Sequence, residues 1–142
     1  MKIDDIKTQL EKDKKSDHTQ LDVESLRISE QAIKYQQMAH DEALRLRFLE
    51  KEYNVARYKR WMYYMGKADP SEYEKSPFDH KVLKADVNIF LESDSILNEI
   101  QDRIIAQTEK LKLVVEAGKV MQNKSFNIKN ALEHQKFMGG AF

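Results

Sequence analysis

The sequence contains no cysteine, only four glycines and two prolines, and no long apolar run. Without cysteine there is no disulfide scaffold, no thiol nucleophile and no Cys-ligated zinc or iron–sulfur site, a composition that suits a reducing cytoplasm. So little Gly and Pro excludes long flexible or Pro-rich linkers. It also excludes a phosphate-cradling loop of the Walker or dinucleotide type, because the only adjacent glycines are Gly139 and Gly140. No segment approaches the roughly 20 apolar residues of a membrane span, and the polar segment 1–15 does not read as a signal peptide. Net charge is missing too: 24 basic residues balance 24 acidic ones, so the chain is not basic throughout. The four histidines, His18, His40, His80 and His134, form no His-x-x-x-His or Glu-x-x-His pair at helical ligand spacing. No catalytic residue, no metal and no cofactor is therefore expected, and the chain reads as a soluble intracellular protein that is not an enzyme.

What the sequence does contain is helical patterning. Its 142 residues, 34% charged and 41% hydrophobic, are enough for a single helical domain, 1–142, with one core. Ile3, Ile6 and Leu10 predict a short amphipathic helix ending in the polar run Lys12–Ser16, with Asp17 and Gln20 as a capping box for the next. From there to Tyr64 there is no Gly or Pro, which predicts one long helix. Its heptad seam runs Leu21, Ser25, Ile28, Ala32, Tyr35, Ala39, Glu42, Leu46, Leu49, Tyr53, Ala56, Arg60 and Tyr63. Such a seam needs a partner helix; its exceptions are Ser25, Glu42 and Arg60, and a polar residue such as Glu42 at a seam position more often fixes register or sits near a helix end or ring surface than serves as a buried acid. Gly66, Pro70 and Pro77 define a connector at 66–79. A helical turn is expected at His80–Lys84, then Asp86 as the cap of a second long helix to about Gln122, with seam residues Leu97, Ile100, Ile104, Leu111, Val114 and Met121. Gly118 within it suggests close packing. Ser125 is expected to cap a separate last helix carrying Phe126, Ile128, Ala131, Leu132 and Phe137. The expected fold is all-α, with two long antiparallel helices and short N- and C-terminal helices. The N-terminal helices fill 1–65 and the C-terminal ones 80–142.

Charge is uneven along this pattern. Residues 45–67 hold seven Lys/Arg against two Asp/Glu and six of the thirteen aromatic residues, whereas both flanks are net acidic. Taking Tyr53 as zero at 100° per residue, Arg57, Arg60, Trp61 and Tyr64 fall within one face. Guanidinium groups meet phosphate oxygens with paired donors, and rings stack on unpaired bases, a combination that suits single strands. The other reading of the same residues is a solvated helix side beside a core, as in a coiled-coil scaffold without DNA binding. The residues leave both open.

Four features carry a resemblance: Arg57-Tyr58-Lys59-Arg60 leading to Tyr63-Tyr64 and Gly66; Tyr73-Glu74-Lys75-Ser76; Leu83-x-x-Asp86; and Ser125-Phe126-x-Ile128-Lys129-Asn130-Ala131-Leu132 with Lys136-Phe137. In this order, over essentially the whole chain, they resemble the UvsY family of recombination mediators of T-even-type phages. The resemblance implies a non-enzymatic protein of the infected host's cytoplasm that binds single-stranded DNA as a ring-like homo-oligomer. It further implies displacement of the phage single-stranded DNA-binding protein and loading of a RecA-like recombinase, in recombination and repair. By similarity the DNA-binding residues are Lys59 and Arg60 with Arg57 beside them, joined by Tyr58, Trp61 and Tyr64 of the stripe. Tyr58 departs from the family, which can have lysine there, and Lys124-Ser125 stands where Arg-Gly is common. The resemblance also assigns Phe126, Ile128, Leu132 and Phe137 to self-association, against an intrachain core on hydrophobic pattern alone.

Overall fold

The computed structural model describes residues 2–14 and 21–140. Its elements are α1 (Ile3–Lys14), α2 (Leu21–Tyr64), α3 (Pro70–Lys75), α4 (Val87–Glu92) and α5 (Ser95–Gly140). All regular structure among the described residues is helical, as the patterning predicts. The expected capping box at Asp17 and Gln20 lies outside the described residues. No described helix is long and apolar enough to cross a membrane.

The chain packs as two compact units, one of Met1–Ala43 with Glu109–Phe142 and one of Leu44–Thr108, so α2 and α5 each contribute to both. In the first unit, Ile28, Ala32 and Tyr35 of α2 form a core with Ala117, Met121 and Ile128 of α5, and Leu10 of α1 packs on it. Seam residues meet in a fixed order. Ser29 Oγ lies 3.5 Å from Ser125 Oγ, and Glu42, 4% exposed, pairs with Lys110 at 3.3 Å. A Cβ placed on Gly118 would lie 3.6 Å from Tyr35 Cβ, an ordinary van der Waals contact. α1 ends within the expected polar run, and Asp13 of that run is buried. It accepts the Tyr35 hydroxyl at 2.8 Å and the Gln9 amide at 3.0 Å. Burial, reinforced by the Asp13 hydrogen bond and charge, pushes the Tyr35 hydroxyl pKa well up.

The second unit has its core at Val87, Leu91 and Leu97, against which Tyr53, Ala56, Trp61, Tyr64 and Met65 pack. α2 ends at Gly66, whose φ of 75° is one that glycine adopts without a Cβ penalty. The Gly66 and Lys67 N–H groups donate to the Tyr63 and Met62 carbonyls, closing the helix end in a Schellman arrangement. α3 begins with Asp69 accepting the Ser71 N–H and Pro70 in the first turn. The Tyr73 ring stacks on Tyr63 at 5.3 Å, and its hydroxyl donates to the Tyr63 carbonyl at 2.8 Å, which pins the connector to the end of α2.

Three boundaries differ from expectation. His80–Lys84 forms no helical turn; a turn falls at 84–86. Asp86 precedes only the six-residue α4 and makes no side-chain cap bond, whereas Asp94 caps α5 by accepting the Leu97 N–H at 3.0 Å. Ser125 caps nothing, because α5 continues through it to Gly140. The reason is register: the buried or half-buried positions Val114, Gly118, Met121, Ser125, Ile128 and Leu132 keep one heptad phase, and no Gly or Pro interrupts them after Gly118.

Candidate nucleic-acid interface

The basic and aromatic stripe divides in two. Its C-terminal part is a half-buried polar knot around a buried carboxylate. The Arg60 Nε lies 2.7 Å from Asp94 Oδ2, and the Tyr64 hydroxyl donates to the same oxygen at 2.5 Å. With the Leu97 N–H on Oδ1, one carboxylate holds α2, the start of α5 and a tyrosine together. The guanidinium carbon also sits 4.3 Å from the Tyr63 ring centroid and 5.1 Å from that of Tyr64. Burial alone would raise the Asp94 pKa, but the donors from Tyr64, Leu97 and Arg60 outweigh it and hold the carboxyl below its usual range. Burial works to lower the Arg60 pKa, and the bonds to Tyr64 and Asp94 more than offset it. Burial and the bond to Asp94 push the Tyr64 hydroxyl up. Trp61 is half-buried on the same core, with the Lys67 ammonium 5.0 Å from its ring centroid.

The N-terminal part is open. Arg57 and Lys59 are exposed, as is the Tyr58 ring at 63%. Arg57 Nη2 reaches Asn88 Oδ1 at 3.4 Å, a long bond that leaves the guanidinium at the surface. Tyr58 and Lys59 line an open groove of about 410 Å³ with Met62 and Ile96. Of the six stripe residues singled out from sequence, three thus face solvent and three, Arg60, Trp61 and Tyr64, are engaged in the unit's packing. The helical-face arithmetic gathers Arg57, Arg60, Trp61 and Tyr64 on one face; the structure packs the last three and leaves Arg57 exposed.

Sequence reading missed Asp94 and the rings of Phe78, His80 and Phe90. Phe78 contacts Tyr63, Tyr64, His80 and Phe90 at centroid distances of 5.4, 5.2, 5.3 and 5.8 Å. Asp94 carries a signal that was available: an Asp three residues before the first seam leucine of α5 is a cap position. The three rings carry none, being scattered through the connector and α4. In the other unit, Ile128 is buried and Leu132 packs on the same core, whereas Phe126 and Phe137 are 65% and 71% exposed. The first two are thus occupied within the chain, and only the phenylalanines are open to a neighbour. Among the described residues no three His, Asp or Glu side chains cluster as a metal site.

These features describe an all-helical protein with a candidate surface made of a cationic edge supported by aromatic packing. The family described as "Recombination, repair and ssDNA binding protein UvsY" matches residues 9–141. The chain belongs to the UvsY family. Crystal structures of the bacteriophage T4 recombination mediator protein UvsY share the fold. Lattice type II is 20% identical with a TM-score of 0.82, covering 98% of both chains. Lattice type IV is 19% identical with a TM-score of 0.79, covering 97% of this chain and 99% of that one. Lattice type I is 20% identical with a TM-score of 0.80, covering 94% and 98%. At this identity the likeness establishes fold. No curated protein matches the chain by sequence.

Proposed function

We propose that the protein is a phage recombination mediator acting in the host cytoplasm. It binds single-stranded DNA and promotes loading of a RecA-like recombinase in place of the single-stranded DNA-binding protein. Membership of the UvsY family over residues 9–141 carries this reading. Arg57, Tyr58 and Lys59 meet the strand directly, the cations on phosphates and the ring on a base, while Arg60, Trp61 and Tyr64 hold that edge in place. The protein works by binding and not by catalysis, as a ring-like homo-oligomer whose repeated edges add as avidity. A mediator shifts the competition between two protein coats only by binding one strand conformation better than the other, since equal affinity for both shifts nothing. The two long helices run antiparallel, a reading supported by the paired positions 29 with 125 and 42 with 110 in one unit, and 52 with 103 and 60 with 94 in the other.

The test is a titration of labelled single-stranded DNA at several salt concentrations. Each phosphate contact contributes about −0.7 to the slope of log affinity against log salt. Arg57→Ala with Lys59→Ala should weaken binding and flatten the slope, and should abolish stimulation of recombinase filament assembly on coated DNA. Unchanged affinity and slope would remove this edge as the binding surface. Absence of any DNA binding in the wild type would favour the scaffold reading. DNA binding without any effect on filament assembly would leave only a strand coat.

A further inference from the structure

The connector and α4 build a second aromatic surface beside the stripe. Phe78, His80 and Phe90, with Tyr64 and Arg60, line an open cavity of about 650 Å³, within the roughly 300–1,000 Å³ typical of small-ligand sites. We infer that this cavity takes an unpaired base of the bound strand, a reading that rests on the single-stranded DNA binding proposed above.

Three observations point to a base and not to a phosphate or a side chain. Ring geometry is the first. Phe78 meets Tyr64, His80 and Phe90 at interplanar angles of 74°, 65° and 89°. An edge-to-face contact covers a face of only one of its two rings, so aromatic faces remain for a further flat π-system. Polarity is the second. The Tyr64 and Tyr63 hydroxyls are already committed, to Asp94 and to the Ser76 carbonyl at 2.7 Å, so the walls offer planes in preference to fixed donors. Charge is the third. Arg60 is compensated by Asp94, and Asp79 also lines the cavity, so an entering anion is repelled by a carboxylate while a neutral base is not. The strand's phosphates then belong outside, on Arg57 and Lys59, which are exposed. The result is a division of labour in which the cations of α2 hold backbone and Tyr58 one base, while the connector and α4 take another.

The experiment compares two labelled single strands of equal length and phosphate number, oligo-dC and an oligomer of abasic tetrahydrofuran sites. Wild type should bind oligo-dC more tightly by about 5- to 150-fold, the scale of losing a stacked base. His80→Ala and Phe90→Leu should narrow that gap while leaving abasic affinity and the salt slope unchanged. His80 is exposed, so its variant tests the site without disturbing the core. Equal affinity of wild type for both oligomers overturns the base site while leaving phosphate binding intact. A gap that survives both substitutions but disappears in Tyr58→Ala assigns stacking to α2 and also overturns it. Failure to bind either oligomer overturns the DNA reading itself.

Discussion

Arg57, Lys59 and Arg60 lie within one helical turn and carry the same charge, yet the structure gives them different work. Arg60 is tied to Asp94, thirty-four residues away; its place in the heptad seam sets it apart from the exposed Arg57, but nothing local names its partner. This is why the stripe was legible as composition while the carboxylate that makes Arg60 a support was not. The consequence is measurable. Arg60→Gln leaves the Asp94 carboxylate without its cation and should cost roughly 1–3 kcal/mol of stability in urea unfolding, the scale of a charge-assisted hydrogen bond. Arg57→Gln, at an exposed site, should stay within about 0.5 kcal/mol. Equal stability losses would show that Arg60 is not a support. The carboxylate also predicts a pH dependence. Its folded pKa is depressed, so its contribution to stability is complete above the ordinary Asp value of about 3.9 and is lost as pH falls through the lower folded value. The stability difference between wild type and Asp94→Asn should therefore hold steady from neutral pH to about pH 5 and shrink below about pH 4. Parallel curves throughout would refute the linkage.

At the scale of elements, the seams were the most legible feature because burial recurs with the heptad. Every described seam position of α2 from Ser25 to Tyr63 is buried or half-buried, including Glu42 with its Lys110 partner. Boundaries were less legible where residue type and register disagreed. Ser125 has the chemistry of a cap, but the unbroken phase from Met121 to Leu132 keeps it inside α5. Asp86 and Asp94 both resemble caps, and which one starts the long helix depends on Arg60 and Tyr64 from another element. The two internal glycines now separate clearly. Gly66 has φ of 75°, so Gly66→Ala forces a Cβ into the left-handed region and should cost about 1–2 kcal/mol. Gly118 is helical with ordinary spacing to Tyr35, so Gly118→Ala should raise stability by up to about 1 kcal/mol through helix propensity. Thermal or urea melts of the two variants should move in opposite directions. A destabilised Gly118→Ala would mean that packing against Tyr35 tolerates less than the spacing indicates.

For the molecule as a whole, assembly is where hydrophobic pattern reads least clearly, because apolar periodicity does not say whether a face is covered by its own chain or by another. Phe126, Ile128, Leu132 and Phe137 follow one another along the last three turns of patterning, yet Ile128 is 6% exposed and Phe137 71%. The two classes should respond differently. Ile128→Ala removes buried volume from the core of its own unit and should destabilise the fold by about 2–4 kcal/mol. Phe126→Ser with Phe137→Ser removes only exposed surface and should leave helicity and unfolding nearly unchanged while lowering the solution mass. Loss of assembly must also reach DNA binding. If several edges grip one strand together, dissociated subunits lose the avidity term without losing any contact of their own, so apparent affinity should fall and the salt slope should drop towards that of a single edge. Measured by light scattering and anisotropy on the same samples, an unchanged mass would remove these phenylalanines from the interface. A reduced mass with undiminished affinity and slope would show that one subunit's edge suffices and that assembly adds nothing to the grip.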